Sequence, residues 1–393
     1  MRVLHVIESL DPRTGGPPAV AARLGAAQAA LGARVGIAAL AEPGAAQRVR
    51  ESFASIPGLD AVSLHELPRP AGTLGRLRLT RLTEALATLA RNADVLHVHG
   101  VWDVTVRAAH AASVSSRVPM VVVPHGMLDP WSMRATPAKR LKKSVAMALT
   151  FRRILNHASF FHTLNADEQA GMAPLGLLPA CEVIPNGVFL DEFANLPGLD
   201  EFRGANPALG ADPFVLFLSR LHHKKGLDIL ADAFTLALKT HPGARLVVAG
   251  PDGGALGPLT AQVQRLGIAG RVHLVGPLYG RDKLAALAGC AVFCLPSRQE
   301  GFSMAITEAM ACARPVVVSD ACHFPEVGSA GAGHVVTLDV AEVARAISAV
   351  LSDPEGAREM GRRGRGLVES RFTWPVIARL CLEAYARHGV RGA

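Results

Sequence analysis

The chain has 393 residues, of which 50% are hydrophobic, and carries a formal charge of +8 at pH 7. This amount of apolar material favours two globular domains and argues against a disordered chain. The start, MRVLHVIESL, does not have the pattern of a secretory signal, and no run approaches the roughly 18 uncharged apolar residues of a membrane-spanning helix, so we expect a cytoplasmic protein. The positive charge fits an anionic partner: nucleic acid, a phosphorylated substrate or an acidic membrane surface.

Strands and helices alternate along the first half of the sequence. A strand at Val3–Ile7 is followed by a loop carrying Gly15-Gly16-Pro17, an alanine-rich helix and a strand near Val35, which is one βαβ unit. Further apolar runs, separated by helical stretches, are found at Val95–Val98, Met120–Val123, Phe160–Thr163 and Val183–Ile184. This alternation predicts a mostly parallel sheet with helices on both faces.

The second half repeats the α/β pattern after a break. Residues 191–212 are rich in Pro, Gly and Asn and predict an interdomain linker. The strands predicted beyond it are Phe214–Ser219, Leu246–Ala249, Val272–Val275, Val292–Leu295 and Val316–Ser319. We expect an α/β protein of two Rossmann-like domains, 1–195 and 210–372, that face a central cleft. Ligands of such sheets bind at the carboxyl ends of the strands.

One of these strand ends carries two carboxylates eight positions apart. The strand AVFCLP leads through the loop SRQEG into the helical run FSMAITEAMAC, so a helix N-terminus that favours phosphate follows the strand. The amides of Gly301, Phe302 and Ser303 are expected to be the unpaired donors of its first turn. Glu300 and Glu308 would flank a ligand that is anionic at its centre and rich in hydroxyls at its ends, such as a nucleotide sugar. Alternatively, Glu308 is a solvated helix residue and Glu300 complements the helix charge.

Cations follow a second strand end. Arg220, Lys224 and Lys225 come directly after FVLFLS, where they would neutralise a leaving diphosphate. The alternative is a solvated loop. No Asp-x-Asp or His/Asp cluster has ligand-like spacing at a strand end, so we expect stabilisation of the leaving group without a metal.

The first half offers a histidine at a strand end. His125 and Gly126 follow the run VVVP, and the imidazole would hydrogen-bond the transferred sugar or assist the acceptor, unless it is only a structural loop residue. Gly16 would bring backbone amides near the diphosphate or simply form a turn. His97 and His99 alternate along one strand face and are predicted to be core residues.

A basic segment lies further along the first half. Residues 134–153 hold seven cations and no acid, with an apolar stretch between the clusters. This composition suggests docking on anionic lipid at the inner face of the cell membrane. An ordinary solvated basic helix, or a site for an acceptor phosphate, explains it equally well.

Together these segments resemble glycosyltransferase family 4, the large retaining group with the GT-B fold. The run EGFSMAITE, from Glu300 to Glu308, reproduces the family's E-x7-E motif, and SRLHHKKGLDIL resembles its R-x4-K phosphate-binding segment. IPNGV and the early GGP are also similar to family motifs, while HGMLDPWSM and ACHFPEVGSAGAG resemble a subgroup that assembles bacterial polysaccharides or lipid-linked oligosaccharides. Ala313 departs from the pattern, since the family has Gly there.

The resemblance implies roles for single residues. Arg220 and Lys225 would bind the donor diphosphate, Glu308 the nucleotide ribose and Glu300 the hexose hydroxyls. The first domain would bind the acceptor, the second the nucleotide sugar, and the C-terminal helix, 373–393, would cross back onto the first domain. The candidate catalytic residues are Arg220, Lys225, Glu300 and His125, and the candidate donor-binding residues are Gly16, Gly301, Phe302, Ser303 and Glu308.

We therefore predict a retaining glycosyltransferase that moves a sugar from a nucleotide-diphosphate sugar to a hydroxyl of a glycan or lipid-linked acceptor in bacterial polysaccharide assembly. Same-face attack guided by the leaving phosphate is preferred, because only Asp103 and Asp129 offer a carboxylate for double displacement. A nucleotide-sugar epimerase or glycan phosphorylase shares the fold and is the enzymatic alternative. Nucleic-acid binding is disfavoured because aromatics are only 5% and no RRM or helix-turn-helix pattern is present.

Overall fold

The computed structural model describes residues 1–72, 79–133 and 137–390, without the side chains of residues 131, 137–139 and 199. The chain forms two compact units, one of Met1–Asn186 with Trp374–Ala393 and the other of Gly187–Thr373. Each unit is built on its own parallel sheet.

The sheet of the first unit has the order β3-β2-β1-β4-β5-β6-β7. Its strands are β1 (Arg2–Ile7), β2 (Arg34–Leu40), β3 (Val62–Leu67), β4 (Val95–His99), β5 (Met120–Val123), β6 (Phe160–Thr163) and β7 (Ala180–Val183). The described helices are α1 (Pro17–Ala30), α2 (Ala46–Phe53), α3 (Thr80–Ala90), α4 (Val104–Ser116), α5 (Pro130–Met133), α6 (Pro137–Ala146), α7 (Arg152–Leu155) and α8 (Ala166–Met172), with a π-helical turn at Met147–Phe151. The strand order reverses direction between β1 and β4.

The sheet of the second unit has the order β10-β9-β8-β11-β12-β13 and reverses between β8 and β11. Its strands are β8 (Phe214–Leu218), β9 (Arg245–Ala249), β10 (Val272–Gly276), β11 (Val292–Leu295), β12 (Val316–Ser319) and β13 (Gly333–Val336). Its helices are α9 (Leu199–Ala205), α10 (Leu227–Ala237), α11 (Leu256–Arg265), α12 (Gly280–Gly289), α13 (Met304–Ala311), α14 (Glu326–Ser329), α15 (Val340–Ser352) and α16 (Pro354–Arg371). The central strands β11 and β12 are buried along their whole length, as expected of apolar strands covered on both faces.

The last helix, α17 (Trp374–Arg387), belongs to the first unit, as predicted. Its Tyr385 hydroxyl accepts a hydrogen bond of 3.2 Å from the Gln28 side chain of α1, and Arg387 pairs with Glu182 of β7 at 2.7 Å. No helix among the described residues is long and apolar enough to cross a membrane.

Residues 191–212 are not the linker that their composition suggests. They carry α9, whose Phe202 is buried with its ring 5.6 Å from that of Phe214 on β8. Glu201 of the same helix accepts two hydrogen bonds from Arg281 of α12, at 2.5 and 2.7 Å. This stretch therefore packs within the second unit.

Candidate active site

The predicted second-unit residues lie where the strand order of their sheet reverses. β8 ends at Leu218 and its loop carries Arg220 and Lys225, while β11 ends at Leu295 and its loop carries Glu300. Because β8 and β11 are neighbouring parallel strands, both loops leave the same edge of the sheet. Doubly wound sheets bind their ligands at this reversal.

Lys225 and Glu300 form an ion pair across the reversal. The Lys225 Nζ atom lies 2.7 and 2.8 Å from the two carboxylate oxygens of Glu300, and the side chains are 21% and 8% exposed. The Ser297 hydroxyl also donates to Glu300, and the Glu300 backbone N–H donates to the Ala321 carbonyl at 3.1 Å. The carboxylate is thus held rigidly by its neighbours.

Further contacts join the two loops. Arg298 donates two side-chain hydrogen bonds to the Asp228 carboxylate, at 2.6 and 2.7 Å, and its backbone N–H donates to the Lys224 carbonyl at 2.6 Å. Gly226 has a φ of +67°, and a Cβ there would lie 1.9 Å from the Pro296 carbonyl oxygen. Only glycine fits between the loops at this position.

The helix behind this loop starts later than the sequence suggests. α13 begins at Met304 with Ser303 as its N-cap, so Gly301 and Phe302 lie in the preceding loop rather than in the first turn. The first-turn amides that this terminus can offer to an anion are therefore those of Met304, Ala305 and Ile306.

Phe302 has a packing role in this loop. Its ring lies 5.3 Å from that of Phe324 and 6.0 Å from that of Phe372. This aromatic cluster anchors the loop to the body of the second unit, so Phe302 offers a ligand its backbone rather than its ring.

Glu308 is paired with a cation that the motif analysis missed. The Nζ atom of Lys283, on α12, lies 2.8 Å from the carboxylate, whose side chain is 16% exposed. Lys283 stands near the start of the helix that follows β10, so a search of every strand end would have found it. A solvated Glu308, the alternative from sequence, does not fit this burial.

The β8 loop is electropositive. Arg220 is exposed, and a Cβ at Gly253 would lie 3.0 Å from its side-chain carbons, so the glycine lets the arginine stem lie flat against the β9 loop. Burial, followed by the charges of Lys224 and Arg220, lowers the pKa of His222. The loop therefore presents positive charge beside the β11 loop that carries Glu300.

In the first unit, His125 occupies a strained turn. The Met127 N–H donates to the Pro124 carbonyl at 3.0 Å, and His125 and Gly126 have φ angles of +51° and +73°, which makes them the central residues of a type I′ turn. The left-handed conformation costs a non-glycine residue about 1–2 kcal/mol. Buried Glu168 fixes the turn by accepting the Gly126 N–H at 2.5 Å. Strained residues cluster at functional sites, so this conformation supports His125 as a candidate without proving a role.

The glycine loop after β1 has a limited capacity for anions. Gly15, at φ +119° and ψ −148°, has the conformation that requires glycine, whereas Gly16 is the N-cap of α1 with an ordinary φ of −74°. Pro17 and Pro18 fill the first two helical positions and have no N–H to donate. At this helix terminus, therefore, the backbone N–H groups that can bind an anion are those of Gly16 and Ala19.

Two other groups have structural partners. Asp103 is the N-cap of α4. Its carboxylate accepts hydrogen bonds from the Thr105 and Val106 amides at 3.0 and 3.2 Å, so it already serves as a helix cap. The potential ligand atoms of His97, His162 and Cys381 lie within 4.8 Å of one another in the core of the first unit, close enough together to hold a metal ion. The His97 and His162 rings take part in a hydrogen-bonded chain described below.

The described part of the basic segment presents an apolar stripe. Leu141, Val145 and Leu149, spaced by four residues, are 67%, 47% and 79% exposed. Arg140 and Lys142 are exposed beside them, whereas Lys143 turns inward and lies 5.3 Å from the Trp102 ring. Residues 134–136 of the predicted segment lie outside the described residues.

Comparison with known proteins agrees with this architecture. Residues 200–367 match the family model described as glycosyl transferases group 1, and residues 15–187 match the glycosyl transferase 4-like domain. The chain is 30% identical over 353 residues to the alpha-maltose-1-phosphate synthase of Mycolicibacterium smegmatis, covering 82% of this chain and 86% of that protein. It is 34% identical to the D-inositol 3-phosphate glycosyltransferase of Segniliparus rotundus, but over only 54% of this chain and 47% of that protein.

A solved structure shows the same fold. The crystal structure of Anabaena Alr3699/HepE in complex with UDP and glucose superposes with a TM-score of 0.77 at 23% identity, covering 98% of this chain and all of that one. The two Rossmann-like units are those of the GT-B class of glycosyltransferases. The chain belongs to the glycosyl transferases group 1 family, family 4, whose members are retaining enzymes that use nucleotide-sugar donors.

Proposed function

We propose that this glycosyltransferase builds a bacterial polysaccharide or a lipid-linked precursor of one by transferring a hexosyl group to a hydroxyl acceptor. The Lys225–Glu300 pair at the reversal between β8 and β11 carries the proposal, because it sets a cation and a hydroxyl-binding carboxylate side by side. A nucleotide sugar needs both at the junction of its diphosphate and its hexose.

The donor assignments follow from charge and chemistry. Arg220 and Lys225, with the first turn of α13, would neutralise the departing diphosphate, which needs no metal in this scheme. Glu300 would accept hexose hydroxyls and Glu308 ribose hydroxyls, since carboxylates accept hydrogen bonds from hydroxyl groups. Lys225 has three N–H donors, so a phosphate oxygen can share the ammonium with Glu300.

The proposed chemistry keeps the anomeric configuration. The bond from the anomeric carbon to the diphosphate oxygen breaks, the acceptor oxygen bonds to the same face of that carbon, and the acceptor proton passes to the departing phosphate. The cap role of Asp103 supports this route over a covalent intermediate on that residue.

The test is a panel of UDP-, GDP- and ADP-sugars scored for thermal stabilisation of the protein, followed by transfer assays with the donor that binds. One donor class should stabilise wild type but not Arg220→Ala, a change that we expect the fold to tolerate because the side chain is exposed. Equal stabilisation of both proteins would reject the assignment. Turnover of donor without acceptor into an epimer would favour an epimerase.

The apolar stripe on α6 and the turn behind it supports a membrane-bound acceptor. Leu141, Val145 and Leu149 would enter the interface while Arg140 and Lys142 meet anionic headgroups. In vesicle flotation, wild type should float with phosphatidylglycerol vesicles, Leu149→Ser should stay in solution, and Leu236→Ser on α10 should behave like wild type. Identical flotation of wild type and Leu149→Ser would reject the contact.

A further inference from the structure

The core of the first unit holds a cluster of histidines on the strands where the sheet order reverses. Its members are His5 of β1, His97 and His99 of β4, His125 and His162, with Gln28 of α1 and Tyr385 of α17. His5 and His97 are directly paired in the β1–β4 register, and consecutive rings stack with centroids about 5 Å apart. All but His125 are buried, and His125 is partly exposed.

Hydrogen bonds lead from His125 to the middle of this cluster. His125 Nε2 lies 2.9 Å from His99 Nδ1, and His99 Nε2 lies 2.9 Å from His5 Nδ1. His5 Nε2 lies 2.8 Å from the side-chain oxygen of Gln28. Each ring thus uses both of its nitrogens, except His125, whose Nδ1 has no hydrogen bond within the described part of the chain.

The chain continues to a backbone carbonyl. The Gln28 amide nitrogen donates to the Tyr385 hydroxyl at 3.2 Å, and that hydroxyl bonds His97 Nδ1. His97 Nε2 lies 3.3 Å from His162 Nδ1, and His162 Nε2 lies 2.7 Å from the Ile184 carbonyl oxygen.

The Ile184 carbonyl fixes the direction of every bond, because it can only accept. His162 must carry its proton on Nε2, so its Nδ1 is bare and accepts a hydrogen bond from His97 Nε2–H. His97 Nδ1 is therefore bare and accepts from the Tyr385 hydroxyl. That hydroxyl, whose proton is now used, accepts from the Gln28 amide. The Gln28 side-chain oxygen accepts from His5 Nε2–H, so His5 Nδ1 is bare and accepts from His99 Nε2–H. His99 Nδ1 is then bare in turn and accepts from His125 Nε2–H. One proton per ring satisfies the whole chain.

Burial keeps these rings neutral. It lowers the pKa of His5 and His162 to about 4 and that of His125 to about 3, and it lowers the pKa of His97 and His99 as well. A neutral chain has only the one arrangement of protons.

We propose that this chain locks His125 as the Nε2–H tautomer, so that its Nδ1 can only accept a hydrogen bond, and that Tyr385 of α17 is a positioning residue for it. A bare nitrogen repels phosphate and carbonyl oxygens, which are acceptors, and pairs with a hydroxyl. Resting on the proposed function, this assigns His125 to a sugar hydroxyl, of donor or acceptor, and separates it from the diphosphate.

The test is the tautomer of His125, read by long-range ¹H–¹⁵N correlation in the full chain at pH 7.5 without substrate. The His125 signals are assigned by their loss in His125→Asn, since Asn tolerates the left-handed turn. Wild type should show only the Nε2–H pattern. An Nδ1–H or imidazolium pattern overturns the proposal whether or not the protein transfers sugar, whereas the expected pattern without transfer would reject the proposed function alone.

Variants test the positioning role. Tyr385→Phe removes the hydroxyl that orients Gln28, so His125 should populate both tautomers. The KM for donor or acceptor should rise at least about twofold, because the fraction of protein with the Nε2–H tautomer of His125 falls. Leu380→Ala, which changes an exposed side chain of the same helix, should keep the wild-type pattern. An unchanged His125 tautomer in Tyr385→Phe, or stoichiometric zinc that Cys381→Ala abolishes, would overturn the proposal. If Tyr385→Phe does not fold, Gln28→Leu tests the same link.

Discussion

Replacing Lys225 with methionine separates the structural part of the Lys225–Glu300 pair from its part in transfer. Methionine keeps the apolar stem of the side chain but leaves the Glu300 carboxylate, which is 8% exposed, with no cation. Removing one partner of a buried ion pair costs about 3–5 kcal/mol. Lys225 is 21% exposed and the Ser297 hydroxyl still donates to Glu300, so we expect the lower end, about 3 kcal/mol.

That loss should be visible on heating. For a unit the size of Gly187–Thr373, about 3 kcal/mol lowers Tm by about 6–12 °C. The double variant Lys225→Met/Glu300→Gln removes both charges and should return to within about 1 kcal/mol of wild type, because a buried pair and a neutral replacement are often of similar stability. Transfer should stay at least about 100-fold below wild type in both variants, since the leaving diphosphate has lost a cation.

The assays are calorimetry and release of nucleoside diphosphate with the donor identified in the panel. Recovery of transfer to within about tenfold of wild type in the double variant would refute the role of Lys225 in stabilising the leaving group. Unchanged Tm in Lys225→Met would instead show that the pair makes no net contribution to folding.

Three further outcomes follow from other parts of the structure. Ala313 has a φ of +53°, so Ala313→Gly should relieve about 1–2 kcal/mol of strain and lose about 0.4–1 kcal/mol to the entropy of the unfolded chain. The urea midpoint of unfolding should therefore rise. Gly361→Ala should lower the midpoint, because its Cβ would lie 2.1 Å from the Ala313 carbonyl oxygen. Glu308→Gln should raise the KM for the donor by at least about tenfold and weaken the binding of free nucleoside diphosphate by the same factor. An unchanged affinity for the nucleoside diphosphate would contradict the assignment of Glu308 to the ribose. The neutral histidine cluster should make the first unit acid-labile, because the pKa values of His5, His125 and His162 lie below the unfolded value of 6.5. Their contribution to stability is present above pH 6.5 and is lost as pH falls toward 4, by about 1 kcal/mol per histidine between pH 6.5 and 5.5. Equal urea midpoints at pH 7.5 and 5.5 would contradict this.

Two buried carboxyl groups partly offset this loss of stability in acid. Burial raises the pKa of Glu168 and of Asp103, so these carboxyls bind protons more readily in the folded state and favour it as pH falls. His65→Gln, outside the cluster, is the control that should leave the acid transition unchanged.

Buried strands were predictable because their physics is local. A strand covered on both faces is a short apolar run, and β5, β6, β11 and β12 have the predicted bounds. The strands not predicted from the sequence, β3 and β13, lie at sheet edges, where VSLHEL is buried only at its two ends and GHVV is only half-buried. The α9 stretch was mistaken for a linker because glycines and prolines flank a helix whose stability comes from Phe202 and Arg281, not from its own sequence.

The candidate site shows the same division between local and distant information. Strand-end position and motif spacing indicated Lys225 and Glu300, but each as a contact to ligand. Their pairing with each other joins residues 75 positions apart, and no spacing rule predicts it. Alternation correctly predicted that His97 and His99 are core residues; their connection to Tyr385 depends on how α17 packs, 288 positions from His97.

The two units handle charge in opposite ways at the point where each sheet reverses. In the second unit, cations and a helix terminus stand at the reversal, and the carboxylates there are paired, so positive charge is what remains for a diphosphate. In the first unit, burial removes positive charge from the histidines, and the carbonyl of Ile184 turns a basic side chain into a pure acceptor at His125. A nucleotide sugar presents phosphate oxygens, which accept, and sugar hydroxyls, which can donate. Under the proposed function, the cations at the reversal of the second unit therefore serve the diphosphate, and His125, uncharged and with no free N–H, does not attract it.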